Sequence, residues 1–230
     1  MVGANYYLVS ALPKMGSLGT PPPMGLAEML EHVADSPVAR QTVATVLLAD
    51  DLVKRQALLA GETKQAEAVV LTAEQLRDEA PLPEYLAPAA HQDDPAKAAD
   101  SVWAAYFRHA AAVAARTGSE FLSAWVGYEV GLRNALAEAR AAALGLEAAG
   151  YVVAKDLAAE DEEFSAVVEE WTAAPDPLRG QQALDRARWD WLERHDRWFT
   201  FADDELTAYA AKLVLLHRWG RLTAQRQSEQ

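Results

Sequence analysis

The chain of 230 residues contains no cysteine, which excludes disulfides, thiolate nucleophiles and zinc–thiolate sites. It also lacks any charge-free apolar run of about eighteen residues, the length that a membrane-spanning helix needs. The opening segment MVGANYYLVSALPK is apolar but has no cationic stretch ahead of it, so we expect no secretion signal. With neither an export signal nor a membrane span, the cytoplasm is the expected location.

Basic residues are scarce. Twenty-one Lys and Arg stand against thirty-four Asp and Glu, which gives a net charge of -13. A charge of this sign repels both phosphate backbones and anionic lipid headgroups. We therefore predict no direct binding of nucleic acid, and we expect any contact with a membrane to be made through another protein.

Motifs of catalysis and cofactor binding are absent as well. The chain has no Gly-rich phosphate loop, GxGxxG, GxSxG or HExxH motif. Glu28 and His32 have the four-residue spacing of one helix face, but a metal ion needs further ligands. The acidic residues 160–163 lack the glycine-containing EF-hand pattern, and we interpret them as a solvated face at a helix start. The sequence therefore predicts no catalytic residue, no cofactor and no metal site.

What the chain does contain is helical periodicity, clearest between residues 119 and 151. Ser119 has the position of a helix cap, and Gly145 that of a helix end. The apolar residues between them recur at steps of three and four, as on one stripe of a helix. They include Phe121, Leu122, Trp125, Tyr128, Leu132 and Leu136. The stripe indicates a scaffold helix, since its polar insertions do not have the spacing of an active site.

Capping and proline signals predict further helices along the chain. They cover residues 26–33, 37–60, 72–75, 94–116, 155–171, 177–195 and 203–223. Residues 6–12 alternate enough to predict a short strand or extended arm. The short connections between the long helices imply antiparallel neighbours. The predicted fold class is therefore all-α, an antiparallel multi-helix bundle with a short extended N-terminal arm.

The proline-rich region after residue 80 predicts a subdomain boundary. We expect an N-terminal arm and helical subdomain over residues 1–92 and a main helical domain over residues 93–223. Residues 224–230, AQRQSEQ, are predicted to form a polar tail.

Two groups of residues suggest contacts with another protein. Glu129 and Arg133 are spaced for an ion pair, and either plain structural pairing or a partner-binding arginine fits them. Trp189 and Trp191 lie about 200° apart on a helix, so both cannot face one core. Either a second layer of the same chain or another protein must cover one of them.

Several stretches resemble a known bacterial family. The opening YYLVSALPKMGSLGTPPPMGLAEMLEHV resembles the start of a family of uncharacterised proteins encoded beside V-type ATPases. WVGYEVGLRNALAEARAAALGLEAAGY, LDRARWDWLERH and FADDELTAYAAKLVLLHRWGRL resemble its central, penultimate and C-terminal helices. That family is in turn similar to the helical socket protein of the V-type ATPase central stalk, known as C or, in vacuolar enzymes, as d. The shared traits are Glu129, Leu132 and Arg133 in one helix and Tyr209 in another.

The resemblance implies a partial helical funnel as the alternative to the bundle, and a role without catalysis. A protein similar to this stalk socket links the rotor shaft of the ATPase to the membrane proteolipid ring, in ion transport coupled to ATP. Such a protein would be cytoplasmic and peripheral to the inner membrane. The expected contacts with shaft and ring involve Tyr6, Tyr7, Glu129, Arg133, Trp189 and Trp219.

Two alternatives stay open at this point. A helical adaptor or assembly factor for the same membrane complex would have the same helices and aromatic residues. A helical enzyme or small-ligand carrier would need a pocket with converging polar groups, and only scattered histidines suggest one.

Overall fold

The structure is a computed structural model that describes residues 3–87, 95–196 and 202–228. Nine α-helices lie in these ranges, and no strand occurs there. They are α1 (Gly3–Ser10), α2 (Leu26–His32), α3 (Pro37–Leu59), α4 (Ala73–Leu76), α5 (Pro95–Thr117), α6 (Glu120–Leu144), α7 (Ser165–Thr172), α8 (Pro177–His195) and α9 (Asp203–Ser228). Short 3-10 turns occur at Glu84–Leu86, Ala148–Gly150 and Lys155–Leu157. The predicted all-α class is confirmed.

Local signals set the ends of several helices. The Ser119 hydroxyl accepts a hydrogen bond from the Leu122 amide at 3.0 Å and so caps α6. Gly145 ends this helix in the left-handed region, with a φ of 67°. Thr72 and Gln75 form the predicted capping box ahead of α4. These predictions were correct because each depends on residues within one turn of the helix end.

The predicted extended arm at residues 6–12 was wrong, because most of it belongs to α1. A helix satisfies its backbone groups internally, whereas a strand needs a neighbouring strand. No strand is present among the described residues to pair with this segment.

The predicted helix over residues 155–171 was also wrong in its first two-thirds. Ala154 has a φ of 43°, and only a 3-10 turn follows it before α7 begins at Ser165. The intervening segment lies along α6 instead, where the Ala159 amide donates to the Gly127 carbonyl at 3.1 Å. Residues 160–163 therefore do not start a helix. Four consecutive carboxylates also repel one another, which disfavours compact helical turns here.

At the C-terminus α9 continues to Ser228, five residues beyond the predicted helix end at residue 223. The last two residues of the predicted tail lie outside the described residues. The same holds for residues 88–94, which include the end of the predicted connector and the predicted first residue of the following helix.

The chain forms two compact units, Met1–Leu47 with Glu169–Gln230 as unit 1 and Leu48–Val168 as unit 2. The division falls inside α3 and α7. These limits differ from the predicted boundary at residue 92, which rested on proline content alone.

Unit 1 is built on the pair α8 and α9, with α1 and α2 also packed on α9. Its core includes Met29, Val33, Trp191, Leu192, Leu206, Tyr209, Leu213 and Leu216. In the same core the Thr207 hydroxyl donates to the Thr42 hydroxyl at 2.6 Å, which ties α9 to the first half of α3. Both hydroxyls are thereby satisfied away from water.

Unit 2 is built on the helical pair α5 and α6, against which the 3-10 turns pack. Trp103, Tyr106 and Phe107 form an aromatic cluster on α5, with ring centroids 5.3 to 5.8 Å apart. On α6, Gly131 allows the ring of Phe164 to lie directly on the helix. The segment after the last 3-10 turn thus packs through a helix position that has no side chain.

This contact predicts different effects at two helical glycines. A Cβ on Gly131 would lie 2.5 Å from Cε2 of Phe164, whereas a Cβ on Gly220 would meet nothing within 4 Å. At either position, replacing glycine by alanine stabilises the helix by about 1 kcal/mol through its higher helix propensity. We expect Gly131→Ala to be less stable than Gly220→Ala by about 1–3 kcal/mol, because the Phe164 ring must move. Urea unfolding of both variants measures the difference, and equal stabilities would contradict the packing described.

Candidate interaction surfaces

Arg133 is held within unit 2. Its Nη2 donates to Asp100 of α5 at 3.0 Å, and its guanidinium lies 4.9 Å from the centroid of the Trp103 ring. Burial lowers the pKa of Arg133, while the bond to Asp100 and the charge of Glu129 oppose that shift. Glu129 itself is half-buried. The arginine thus pairs with a neighbouring helix, and the role of both residues in partner binding stays a prediction.

Two polar contacts in unit 2 are not predicted by the sequence. The buried Asn134 side chain donates to the Val153 carbonyl at 2.9 Å and accepts from the Val153 amide at 2.8 Å. The buried carboxylate of Asp51 accepts from three consecutive amides, those of residues 69–71, at 2.7 to 3.1 Å. Both contacts join groups about twenty residues apart in the chain, so no short-range sequence pattern predicts them.

Trp189 and Trp191 are both buried in unit 1, with 7% and 1% of their surface exposed. The chain itself covers both faces of α8, as one of the two interpretations of their spacing required. Nζ of Lys212 lies 5.6 Å from the centroid of the Trp189 ring, and Trp191 stacks on His195 with the centroids 3.8 Å apart. Trp189 is a core residue of this chain, and its contact with a partner stays a prediction.

The ammonium of Lys212 is the centre of a buried cluster of charges. It donates to Oδ2 of Asp196 at 2.7 Å and to Oε1 of Glu193 at 3.2 Å. The side chains of Lys212 and Asp196 are 4% and 2% exposed, whereas Glu193 reaches the surface. Burial raises the pKa of Asp196, and the charges of Glu205 and Glu193 add to this, while Lys212 opposes it.

A second buried carboxylate, that of Asp185, joins α8 to α9. Nε of Arg218 donates to its Oδ2 at 3.1 Å, and Nη2 of the same arginine donates to Oδ1, so that the pair is bidentate. Nε2 of Gln181 donates to Oδ1 at 3.0 Å. The charge is therefore neutralised inside the unit, and breaking the pair would leave it buried without compensation.

The segment between α1 and α2 is fastened to α9 by side chains that bind its backbone. The Tyr209 hydroxyl donates to the Pro13 carbonyl at 2.9 Å, and Nε2 of His217 contacts the Met24 carbonyl at 2.8 Å. Gly19, with a φ of 93°, lies against the half-buried Trp219, whose Nε1 would be 3.4 Å from a Cβ at that position. Trp219 thus packs on this segment of its own chain, and its contact with a partner stays a prediction.

Tyr6 and Tyr7 remain at the surface. They are 50% and 76% exposed, and their rings meet edge to face with the centroids 5.8 Å apart. Of the six residues predicted to contact a partner, these two present the most aromatic surface.

A shallow, open depression lies where α5 turns into α6, and it is lined mainly by small side chains such as Ala111, Ala115 and Ala124. The histidines that a ligand pocket would use are engaged elsewhere. His32 and His217 contact backbone carbonyls, and His109 stacks on Tyr85 with the ring centroids 4.1 Å apart. In the described ranges, no three His, Asp or Glu side chains come together as a metal site.

No helix among the described residues has the length and hydropathy to cross a bilayer. The class that emerges is an all-α protein whose buried polar groups bind mostly to one another and which exposes aromatic residues at its surface.

A sequence profile for a family described as "Protein of unknown function (DUF2764)" matches residues 65–230. The chain therefore belongs to this family. Among the curated proteins and the solved structures, none matches this chain significantly.

The raised pKa of Asp196 predicts a pH effect on stability. A carboxyl group whose pKa is higher in the folded state than in the unfolded state favours folding when it is protonated. Its contribution to the free energy of unfolding is therefore fully present below the unfolded pKa of about 3.9. This contribution is lost as pH rises through the pKa of the folded state. Asp196→Asn cannot ionise. We expect the unfolding free energy of the wild type to fall relative to that of Asp196→Asn as pH rises from about 4.

Urea unfolding at several pH values measures this difference. Asp190→Asn removes an exposed carboxylate from α8, close to Asp196 in the chain, and serves as the control. The prediction would be contradicted if the unfolding free energy of the wild type rose relative to that of Asp196→Asn as pH increased.

Proposed function

We propose that the chain is a non-catalytic central-stalk component of a bacterial V-type ATPase, linking the rotor shaft to the membrane proteolipid ring. The proposal starts from the resemblance of four sequence stretches to an ATPase-associated family. Three of those stretches lie largely on long helices, α6, α8 and α9. The shared residues Glu129, Leu132 and Arg133 are on α6, and Tyr209 is on α9.

One observation carries the proposal: within each unit, several buried or half-buried polar side chains bind to one another or to the backbone. Arg133 binds Asp100, Asn134 binds the Val153 backbone, and Arg218 binds Asp185. A catalytic site requires polar groups aimed at a space that a substrate can enter. Internally paired groups instead make a unit rigid, which is what a torque-transmitting part needs.

The dimensions of unit 2 agree with such a part. Helices α5 and α6 contain 23 and 25 residues, and each is therefore about 35 Å long. The bond from Arg133 to Asp100 and the contact of its guanidinium with the Trp103 ring hold them side by side. In this proposal the protein is cytoplasmic and reaches the inner membrane only through the ATPase complex.

The test is co-expression of the chain with the shaft and ring proteins of its V-type ATPase, followed by native mass spectrometry of the purified complex. We expect one copy of the chain in each complex that contains both shaft and ring. A parallel preparation without the chain is the control, and it should lack a stable link between shaft and ring.

Two outcomes would count against the stalk role. An intact ATPase that forms without the chain, which then binds only during assembly, would favour an assembly factor. The absence of any association with shaft or ring would refute the proposal.

A further inference from the structure

The outward face of α1 is aromatic. The helix has the sequence GANYYLVS, without a charged residue, and Tyr6 and Tyr7 are its exposed large side chains. A helix on a protein surface normally turns polar residues to the solvent. Adjacent exposed aromatic rings are typical of a contact surface, because each buries a large area at a small cost in side-chain entropy.

The backbone beneath these rings is already held in place. Nε2 of His32 contacts the Leu8 carbonyl at 2.8 Å, and α1 packs against α9. Just beyond α1, the Tyr209 hydroxyl binds the Pro13 carbonyl. A partner that covers the two rings would therefore not have to order the helix, which favours binding.

The segment that contains the rings is mainly negative in charge. Residues 3–36 contain three carboxylates, Glu28, Glu31 and Asp35, and a single basic residue, Lys14. The contact between His32 and Leu8 joins α2 to α1, and Glu28 and Glu31 precede His32 on α2 within about one turn. Glu28 and Glu31 are exposed. The whole chain, at -13, adds a long-range attraction for cations.

We propose that Tyr6 and Tyr7 form a docking site for a basic protein segment. An arginine of that segment stacks on the tyrosine rings, since a guanidinium binds the face of an aromatic ring and is only weakly hydrated. The carboxylates of α2 attract the other cations of the segment. A second copy of this chain or an anionic membrane would bring like charge to the same surface and is disfavoured. The site does not depend on the proposed ATPase role, because its test uses this chain alone.

The test is a titration of fluorescein-labelled hexa-arginine peptide with the full chain, followed by fluorescence anisotropy at about 0.1 M salt, where charges more than about 10 Å apart are screened. The double variant Tyr6→Ala/Tyr7→Ala keeps the net charge of the chain. We expect it to bind the peptide at least about fivefold more weakly than the wild type, from the loss of two cation–π contacts. Hexa-lysine should bind more weakly than hexa-arginine, because stacking favours the guanidinium.

The control is Tyr85→Ala/Tyr151→Ala, which removes two partly exposed tyrosines, 43% and 40% exposed, from unit 2. Its peptide affinity should stay at the wild-type value. If the first double variant does not fold, as checked by circular dichroism, Tyr7→Leu takes its place, because Tyr7 is 76% exposed and leucine keeps its apolar bulk.

Three results would overturn the proposal. Equal affinities in the wild type and both double variants, or equal weakening in the two variants, would mean that the net charge alone attracts the peptide. Failure of the wild type to bind hexa-arginine would show that the surface has no affinity for basic segments. Tyrosine-dependent dimerisation of the chain without peptide binding would assign the rings to contact between copies.

Discussion

Buried carboxylates that are matched by donors from distant parts of the chain hold this protein together. The carboxylate of Asp185 accepts hydrogen bonds from Arg218, and that of Asp51 accepts them from three consecutive backbone amides. An ionised carboxylate away from water is tolerated only when its donors are in place. Since the chain has no disulfide to maintain these positions, the helices themselves must hold each donor at its carboxylate. Packing and charge pairing therefore depend on each other.

The same pairing bears on which groups other molecules can contact. Polar groups that bind one another inside a unit are not available to other molecules. What the chain offers to other molecules is its surface, where acidic groups predominate and where Tyr6 and Tyr7 expose their rings. Exposed aromatic residues of this kind are typical of protein interfaces, where a few residues supply most of the binding energy.

Features that depend on neighbours in the sequence could be predicted from it. The capped ends of α6 and α4 and the periodicity of the long helices were correct because the interactions span a single turn. The predicted helix over residues 155–171 was wrong because a distant partner, Gly127, binds the segment in another conformation. The same limit applies to the candidate site residues. The spacing of Trp189 and Trp191 requires that both sides of α8 be covered, but it does not determine whether this chain or another protein covers them.

The sequence by itself determined the helical class, the capped ends of the central helices and the strongly negative charge, since all three follow from composition and local pattern. Only the tertiary structure decided that Arg133 pairs with Asp100, that both tryptophans of α8 are buried and that Tyr6 and Tyr7 stay exposed. These outcomes depend on which residues far apart in the chain come within a few ångströms. Exposure and pairing are properties of that packing, which the periodicity of a sequence does not specify.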